Sequence, residues 1–424
     1  MKKESPLDIK ALAQGAKTAS RVLALAPSSR KDRALQRIAE ALEQRVPEIV
    51  AQNRQDMAAG REKGLSEALL DRLLLAEERV KGMADGVREL ASFPDPIGEI
   101  VGGRRTREGL ELEQRRVPLG VVAVIYEARP NVTVDAAALC VKTGNSIILR
   151  GGGDAFLSNQ VLSEIVAEAV YAAELPKECI GFVASKDRAV LGDLLGLTES
   201  VDLVIPRGGE KLKQFLVEKA KVPVIYAAGG NCHVYVDAGA DLDQAVKIAV
   251  NAKVDRPGVC NSAETLLVHS SVAQDFLPLV VDELRANGVK LYVDEETKAV
   301  LRVEQVEQVE SAQEVHYATE FLALEMAVGV VGSLEEAVQH ITRYGTGHSE
   351  AIVTQDLEAS RTFVDAVDAA AVYVNASTRF TDGAVYGLGA EIGISTQKLH
   401  ARGPMGVREL TSTKYVVKGR GHVR

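Results

Sequence analysis

Short β-branched segments that end in glycine or other small residues alternate with helical stretches through the middle of this chain. No other feature restricts the possible folds as strongly. The strand-like segments are 121–128, 145–152, 180–185, 201–209 and 222–230, and helical patterns cover 157–173 and 210–220. Parallel strands need a long crossover connection, usually a helix. The alternation therefore predicts βαβ units that form a parallel sheet.

A second series of the same kind follows and predicts a second α/β domain. It begins near residue 234 and continues through strand-like segments at 264–269, 289–294, 327–333, 350–354 and 370–375. The sequence AAGG at 227–230 lies between the two series, so we expect the domain boundary there. Two α/β domains that share one cleft are the predicted arrangement.

The first hundred residues show helical periodicity instead. Leu35, Ile38, Ala39 and Leu42 lie on one apolar face of a helix with 3.6 residues per turn. Pro47 predicts a kink or a new start near the end of that helix, because proline disrupts a helix interior. This part of the chain is predicted to form packed surface helices.

Charge and composition exclude several classes of protein. The 424 residues carry 50 basic and 59 acidic side chains, and this net charge of −9 disfavours nucleic-acid binding. Apolar residues make up 46% and charged residues 26%, which is typical of a globular protein. No apolar run is long enough to span a membrane, and the start, MKKESPLDIK, lacks the apolar core of a signal peptide. We expect a cytoplasmic protein with no membrane segment.

Three glycine turns follow predicted strands: RGGGD at 150–154, PRGGE at 206–210 and AAGGN at 227–231. Ligands of open α/β sheets bind beyond the carboxyl ends of the strands, and backbone N–H groups in such turns suit phosphate groups. None of the three reads G-x-G-x-x-G. The turns therefore fit nucleotide binding, and they equally fit ordinary tight turns.

The four cysteines, Cys140, Cys179, Cys232 and Cys260, are scattered and lack metal-ligand spacing, so neither a metal site nor a disulfide framework is predicted. Cys260 differs from the rest because Pro257 and Gly258 break regular structure just before it. A nearby arginine and backbone amides favour the reactive thiolate. Cys260 is the candidate nucleophile. The alternative, a small buried residue, is our interpretation of the other three cysteines.

Several motifs, in a fixed order, carry a resemblance to a known family. They are Pro130-Asn131, GNSIILR at 144–150, PRGGE at 206–210, GGN at 229–231, PGVCN at 257–261, and the segments 331–352, 374–383 and 395–406. In these motifs the chain resembles the aldehyde dehydrogenase superfamily and, within it, the γ-glutamyl phosphate reductase family. The resemblance implies an α/β, aldehyde-dehydrogenase-like fold, with two parallel-sheet α/β domains around a cleft and a small oligomerisation β-flap.

The same resemblance implies a division of labour along the chain. Residues 1–103 and 119–230 correspond to a cofactor-binding domain, and residues 231–375 correspond to a catalytic domain. Residues 104–118 and 376–424 correspond to the oligomerisation flap and a C-terminal return segment. A homo-oligomer is therefore expected.

The resemblance also implies the catalytic residues. Cys260 takes the position of the nucleophile, and Asn131 takes that of the amide that stabilises an oxyanion together with the Cys260 N–H. Hydrolytic members of the superfamily carry a glutamate two residues before the Gly-Gly pair, where it acts as a base for water. Ala227 stands at that position here, so the resemblance implies an enzyme that does not hydrolyse its thioester.

For the cofactor, the resemblance implies NADPH. Arg150 replaces the lysine that usually meets the cofactor ribose, and its guanidinium suits an additional 2′-phosphate. Gly208 and Gly209 lie at the turn that faces the pyrophosphate. Glu320 takes the position of the glutamate that holds the nicotinamide ribose.

The implied activity is reduction of L-glutamyl 5-phosphate by NADPH to L-glutamate 5-semialdehyde and phosphate, through a cysteine thioester, in proline biosynthesis. Arg256 is the candidate contact for the phosphoryl group. His348 either faces the cleft or orders its own turn. Arg379 and Thr381 either hold the substrate α-carboxylate or brace their loop.

Partners and alternatives follow from the same reasoning. A glutamate 5-kinase that hands over the labile acyl phosphate is an expected partner, because this chain carries no kinase domain. An aldehyde dehydrogenase or acyl reductase with another substrate is the first alternative activity. A non-catalytic scaffold is the second, and the presence of Cys260 and Asn131 counts against it.

Overall fold

The computed structural model describes residues 8–127, 129–187, 189–226 and 229–424. The chain divides into two compact units. Unit 1 consists of Met1–Tyr226, Gly387–Gly393 and Met405–Arg424, and unit 2 consists of Ala227–Tyr386 and Ile394–Pro404. The predicted assignment of cofactor, catalytic and oligomerisation roles to parts of the chain stays a prediction.

Unit 1 begins with the predicted helices. They are α1 (Ile9–Leu23), α2 (Ser28–Gln44), α3 (Val46–Glu62), α4 (Glu67–Leu73) and α5 (Glu77–Ser92). The predicted apolar face of α2 is fully buried, at Leu35, Ile38, Ala39 and Leu42. Pro47 lies in the first turn of α3, where a missing N–H costs nothing. The prediction of a new helix start at this proline is confirmed.

Two sheets follow in unit 1. Strands β1 (Ile100–Arg105) and β2 (Glu111–Pro118) form an antiparallel hairpin. Strands β3 (Val121–Tyr126), β4 (Ser146–Gly151), β5 (Ile180–Phe182) and β6 (Leu203–Arg207) form a parallel sheet in the order β5-β4-β3-β6. The connecting helices are α6 (Asn131–Lys142), α7 (Phe156–Ala172), α8 (Ala189–Leu195) and α9 (Glu210–Lys219). All six residues of β3 are buried, as expected for the centre of a covered parallel sheet.

The strand predicted at 222–230 is wrong for the described part of that segment. Residues 222–226 contribute one isolated parallel bridge, between Val224 and Val204. Two backbone hydrogen bonds attach the segment to β6: Val204 N–H donates to the Pro223 carbonyl at 2.9 Å, and Ile225 N–H donates to the Val204 carbonyl at 3.0 Å. Pro223 has no N–H to donate, so the segment extends the sheet only locally.

Unit 2 contains a seven-stranded parallel sheet in the order β10-β9-β11-β8-β7-β12-β13. Its strands are β7 (Cys232–Val236), β8 (Ala263–His269), β9 (Lys290–Val293), β10 (Glu310–Ser311), β11 (Glu325–Val331), β12 (Ser349–Val353) and β13 (Ala371–Val374). Its helices are α10 (Leu242–Val254), α11 (Ser270–Ala286), α12 (Glu295–Val300), α13 (Val303–Val306), α14 (Glu314–Tyr317), α15 (Leu334–Tyr344) and α16 (Leu357–Ala366). The prediction of two parallel-sheet α/β regions is confirmed.

The C-terminal part of the chain returns to both units. A short antiparallel pair, β14 (Ile394–Ser395) and β15 (Gly403–Pro404), belongs to unit 2. The last strand, β16 (Thr411–Lys418), pairs antiparallel with β2 and completes the three-stranded sheet β1-β2-β16 of unit 1. Within the described residues, no helix is both long enough and apolar enough to cross a membrane.

Candidate active site

Cys260 lies in an irregular turn of unit 2, between the end of α10 and the start of β8. It is partly exposed, whereas Cys140, Cys179 and Cys232 are buried. Burial raises the pKa of each of those three thiols, which keeps them protonated and unreactive. The proline and glycine before Cys260 therefore place this thiol alone, among the four, at a site where a substrate can reach it.

The Gly229-Gly230 pair packs directly against the Cys260 turn. A Cβ added at Gly230 would lie 1.6 Å from the carbonyl oxygen of Cys260 and 2.6 Å from its Cα. No side chain fits there, so glycine is required by the close approach of two backbones. The Gly230 N–H donates to Glu320 Oε1 at 2.6 Å. The structure thus brings Glu320 next to the Cys260 turn, and the role of Glu320 toward a cofactor stays a prediction.

Asn231 holds this arrangement together, a role that was not predicted from its position in the GGN motif. Its Nδ2 donates to the carbonyl oxygens of Tyr317 and Tyr344, both at 2.7 Å, and its backbone N–H donates to Thr346 Oγ1 at 3.0 Å. A buried asparagine directly after a Gly-Gly pair was the available signal, because buried amides need several partners. Asn231 therefore joins the glycine turn to the C-terminal ends of α14 and α15.

The loop after β13 is pinned to the residue that follows Cys260. Asn261 Nδ2 donates to the carbonyl of Thr381 at 2.9 Å and to that of Arg379 at 3.3 Å. The Arg379 guanidinium donates in return to the Asn261 side-chain oxygen, and its Nε donates to Asp255 Oδ2 at 3.1 Å. Arg379 therefore braces the nucleophile turn in this structure. Its proposed contact with a substrate carboxylate stays a prediction.

His348 and Thr381 meet through one hydroxyl. Ser349 Oγ lies 2.9 Å from His348 Nδ1 and 2.6 Å from Thr381 Oγ1. His348 is 0% exposed, and burial lowers its pKa to about 4, so the ring is neutral near pH 7. In the structure His348 therefore contacts its own loop, which is one of the two predicted alternatives. Its contact with substrate, the other alternative, stays a prediction.

His340, from the motif at 331–352, lies on α15 among aromatic rings. Its ring centroid is 4.9 Å from that of Tyr317, 4.7 Å from that of Tyr344 and 5.5 Å from that of His233. Burial lowers the pKa of His340 to about 3. This histidine is therefore a neutral packing residue beside Tyr317 and Tyr344, whose carbonyls Asn231 binds.

Arg256 differs from Arg379 in its surroundings. It is exposed, four residues before Cys260. Within the described residues it forms no ion pair, whereas Arg379 pairs with Asp255. An exposed guanidinium that close in sequence to the nucleophile is available to an anionic ligand.

Asn131 is the first residue of α6 in unit 1, and it has a partner that the sequence analysis missed. Its Nδ2 donates to Asp135 Oδ2 at 2.9 Å, one helical turn further on. Burial raises the pKa of Asp135 to about 6, although Asn131 and Arg207 act in the opposite direction. The i, i+4 spacing of an amide and a carboxylate was the signal available in the sequence.

The predicted cofactor residues of unit 1 lie at the carboxyl ends of the strands of its parallel sheet. Arg150 is the second-last residue of β4, and Gly208 and Gly209 join β6 to α9. The Gly209 N–H donates to Glu127 Oε2 at 3.1 Å, and a Cβ at Gly208 would lie 2.5 Å from the same oxygen. The strand order reverses between β3 and β6, and open α/β sheets bind their ligands at such a switch point.

The sequence also predicts that the hydrolytic general base is missing and that there is no metal site. Ala227, the residue that replaces the hydrolytic glutamate, lies outside the described residues. Among the residues that the structure describes, no group of three or more His, Cys, Asp or Glu side chains is arranged to hold a metal ion.

Comparison with known proteins gives a consistent picture. The model of the aldehyde dehydrogenase family matches residues 1–324. A γ-glutamyl phosphate reductase of Moorella thermoacetica is 54% identical over 418 residues, covering 99% of each chain. The crystal structure of γ-glutamyl phosphate reductase from Thermotoga maritima superposes with a TM-score of 0.95 at 45% identity, covering 99% of this chain and 100% of the other. A glyceraldehyde-3-phosphate dehydrogenase from Methanocaldococcus jannaschii, in complex with NADP, shares the fold at 20% identity, with a TM-score of 0.68 and coverage of 99% and 96%.

Proposed function

The chain belongs to the aldehyde dehydrogenase family and is an oxidoreductase of its γ-glutamyl phosphate reductase group, and from that premise we propose its reaction in detail. The proposed reaction is reduction of L-glutamyl 5-phosphate by NADPH to L-glutamate 5-semialdehyde and inorganic phosphate, in proline biosynthesis. It runs through a thioester on Cys260. The observation that carries the proposal is the environment of Cys260, the partly exposed thiol among four cysteines, on a turn that Gly230, Asn261 and Arg379 hold in place.

The first half of the reaction forms the thioester. The Cys260 thiolate attacks the acyl carbon, a C–S bond forms, and the carbonyl oxygen takes the negative charge of the tetrahedral species. On the family resemblance, the Asn131 amide and the Cys260 N–H stabilise this oxyanion. The C–O bond to the phosphoryl group then breaks, and phosphate leaves with the electron pair. An acyl phosphate needs no further activation, because phosphate is a good leaving group.

The second half reduces the thioester. NADPH, when bound, supplies the hydride to the acyl carbon. The resulting thiohemiacetal oxyanion again meets the amide of Asn131, and its collapse breaks the C–S bond, which frees the aldehyde and restores the Cys260 thiolate. Of the buried cysteines, none offers a competing thiolate, since burial raises the pKa of each.

The carboxyl ends of β4 and β6 in unit 1 fit a dinucleotide. Gly209 has open space where a Cβ would stand and directly precedes α9, a ten-residue helix whose N-terminus favours anionic groups. In the structure the Gly209 N–H donates to the Glu127 carboxylate, which a bound pyrophosphate would have to displace. Arg150 at the end of β4 supplies a guanidinium suited to a 2′-phosphate. These features support NADPH as the cofactor, with Gly208 and Gly209 at the pyrophosphate and Glu320 at the nicotinamide ribose.

For the substrate phosphoryl group, Arg256 is the proposed contact, because it is exposed and lies near Cys260 in sequence. His348, Arg379 and Thr381 support the surrounding loops in the proposal. We propose that the enzyme is a homo-oligomer in the cytoplasm, where thiols stay reduced. In this setting a glutamate 5-kinase hands over the acyl phosphate.

The phosphate requirement of the reverse reaction tests the proposal. Oxidation of glutamate 5-semialdehyde leaves an acyl group on Cys260. Ala227 supplies no carboxylate to activate water, and general-base assistance is typically worth about 10²–10⁴-fold. Inorganic phosphate is already ionised and attacks directly. We expect stopped-flow NADPH absorbance to show one burst per Cys260 without phosphate and steady turnover once phosphate or arsenate is added.

Two outcomes would contradict the proposal. Steady phosphate-free turnover at a rate near the phosphate-supplied one would indicate a hydrolytic aldehyde dehydrogenase. Absence of any burst with glutamate 5-semialdehyde, together with turnover of other aldehydes, would assign the chain a different substrate. Replacing Ala227 by glutamate provides a positive control, because it adds a base and should weaken the phosphate requirement.

A further inference from the structure

The turn that carries Cys260 is closed by an ion pair between its two ends. This turn, residues 255–262, lies between the last residue of α10 and the first residue of β8. Lys253, in the last turn of α10, donates from Nζ to Glu264 Oε2 at 2.5 Å. Glu264 is the second residue of β8. The ion pair therefore joins the helix before the Cys260 turn to the strand after it.

Both side chains of this ion pair are 0% exposed. Burial raises the pKa of Glu264 to about 7 and lowers the pKa of Lys253, and each partner opposes the shift of the other. Taking two charges out of water is costly, and well-packed apolar residues often stabilise a fold as well as a buried ion pair does. What the ion pair adds beyond apolar packing is a fixed, directional contact between α10 and β8.

The second oxygen of Glu264 contacts a neighbouring segment of unit 2. The Leu322 N–H donates to Glu264 Oε1 at 3.3 Å. Leu322 has a φ of +53°, a left-handed conformation that is uncommon for a residue with a side chain. Glu320, two residues earlier, accepts the Gly230 N–H at 2.6 Å. One buried carboxylate thus contacts both the segment that holds Gly230 and the helix that precedes the Cys260 turn.

We propose that Lys253 and Glu264 are positioning residues for Cys260, because their ion pair fixes the two ends of its turn and thereby the place from which the thiol attacks the acyl group. The proposal rests on the proposed function, which makes Cys260 the nucleophile. A second contact joins the same ends, from Ser262 Oγ to the Ala252 carbonyl at 3.3 Å. It is longer and uncharged, so the ion pair is the stronger constraint on the turn.

Two double variants separate the contact across the turn from the charges that form it. The amide double variant, Lys253→Gln/Glu264→Gln, replaces the ion pair by two amides that can still hydrogen-bond to each other. The apolar double variant, Lys253→Met/Glu264→Leu, replaces it by side chains that cannot. Each double variant loses one positive and one negative charge, so a difference between the two reports the position of the Cys260 turn rather than the charge near it.

The readouts are kcat for NADP reduction with glutamate 5-semialdehyde and phosphate, the rate of Cys260 alkylation by iodoacetamide, and the melting temperature. We expect the apolar double variant to lose at least about 10-fold in kcat, since misplacing a reacting group by about 1 Å can cost about 10²-fold. Its alkylation rate should change by at least about threefold, because the exposure and ionisation of a thiol depend on its surroundings. The amide double variant should keep both rates within about twofold of wild type, because its side chains retain a hydrogen bond.

Lys31→Met/Asp95→Leu is the matched control. This ion pair of unit 1 is also buried: its side chains are 1% and 8% exposed, and Lys31 Nζ lies 2.5 Å from Asp95 Oδ2. Its loss should leave kcat and the alkylation rate of Cys260 unchanged, whatever its effect on the melting temperature. The control therefore separates the general loss of a buried ion pair from its loss beside the Cys260 turn.

Three outcomes would overturn the positioning role. The first is an apolar double variant that melts at a new temperature but keeps the wild-type kcat and alkylation rate, because the ion pair would then be only structural. The second is an equal loss in the amide and apolar double variants, which would assign the effect to the charges. The third applies if the apolar double variant does not fold: Glu264→Asp, one methylene shorter, should then lower kcat and alter the alkylation rate, and wild-type values would contradict the proposal.

Failure of the proposed function would look different. Absence of wild-type activity with glutamate 5-semialdehyde would contradict the proposed reaction. The alkylation rates of the two double variants need no substrate, so they would still decide whether Lys253 and Glu264 position Cys260.

Discussion

Four cysteines with the same side chain occupy different environments in this protein, and the environment decides which of them can react. Cys140 and Cys179 are buried in unit 1, and Cys232 is buried at the start of β7, where its Sγ donates to the Cys260 carbonyl at 3.2 Å. Only a thiol that can lose its proton and reach a substrate is a nucleophile. The Pro257-Gly258 break before Cys260 produces that condition by removing the residue from helix and strand.

Replacing Cys260 by serine tests this distinction. Cys260→Ser should keep the fold and lower kcat by at least about 10³-fold, since a hydroxyl is a poor nucleophile without a general base. Cys140→Ser is the matched control: kcat should stay within a few-fold, and the loss should appear in thermal stability, because a hydroxyl replaces a fully buried sulfur. Steady-state rates and melting temperatures of both variants give the result. Near-normal turnover in Cys260→Ser would mean that another residue carries the acyl group.

At the scale of elements, the sequence predicted regular structure well and contacts between loops poorly. The β-branched runs at 121–126 and 146–151 became strands because buried parallel strands are apolar throughout. The apolar run that contains Pro223 has a similar pattern, but it forms only one isolated β-bridge because Pro223 has no N–H to donate. The turn of Gly229, Gly230 and Asn231 was recognised as a motif. Its contacts with Glu320, Tyr317 and Tyr344 join residues that are 86 to 113 positions apart in the chain, which no local pattern encodes.

The glycine turn before β7 should tolerate no side chain at its second position. In Gly230→Ala the new Cβ would lie 1.6 Å from the Cys260 carbonyl oxygen, so one of the two backbones must move. Displacing a nucleophile by about 1 Å can cost about 10²-fold in rate, and we expect a fall in kcat of at least that size. The change should also alter the rate at which iodoacetamide alkylates Cys260: the rate falls if the thiol becomes less accessible and rises if the turn opens. An unaltered alkylation rate together with an unaltered kcat would contradict the close packing of Gly230 against Cys260.

Gly86→Ala is the matched control for that prediction. Gly86 lies within α5, and a Cβ there meets nothing within 4 Å. Alanine is about 1 kcal/mol better than glycine in a helix interior, so this variant should be more stable than wild type and equally active. The pair of variants separates the general effect of adding a methyl group from the specific effect of adding it beside Cys260.

At the scale of the whole molecule, the two parallel sheets are well covered and the three-stranded sheet is not. All five residues of β12 are buried, whereas every residue of β1 is exposed and β16 is exposed along most of its length. Both β1 and β16 are edge strands with unpaired backbone groups, and such edges pair readily with another chain. The predicted oligomerisation flap, residues 104–118 with 376–424, includes β2 and β16 and only the last two residues of β1. The exposure of this sheet is the physical reason to expect a second chain on it.

Charging the apolar face of the last strand tests that expectation. Tyr415 and Val417, which are 61% and 54% exposed, are two residues apart in β16 and so point to the same face of the strand. Burying a large apolar side chain contributes about 1.5–3 kcal/mol, and the double change Tyr415→Lys, Val417→Lys should therefore raise the dissociation constant of an oligomer by at least about 100-fold.

Sedimentation velocity over a concentration series gives the mass of the sedimenting species. Val423→Lys changes a residue that is 96% exposed beyond the end of the strand, and it should leave the mass unchanged. A wild-type protein that sediments as a monomer at micromolar concentration, or a double variant whose mass equals that of wild type, would show that this sheet does not join subunits.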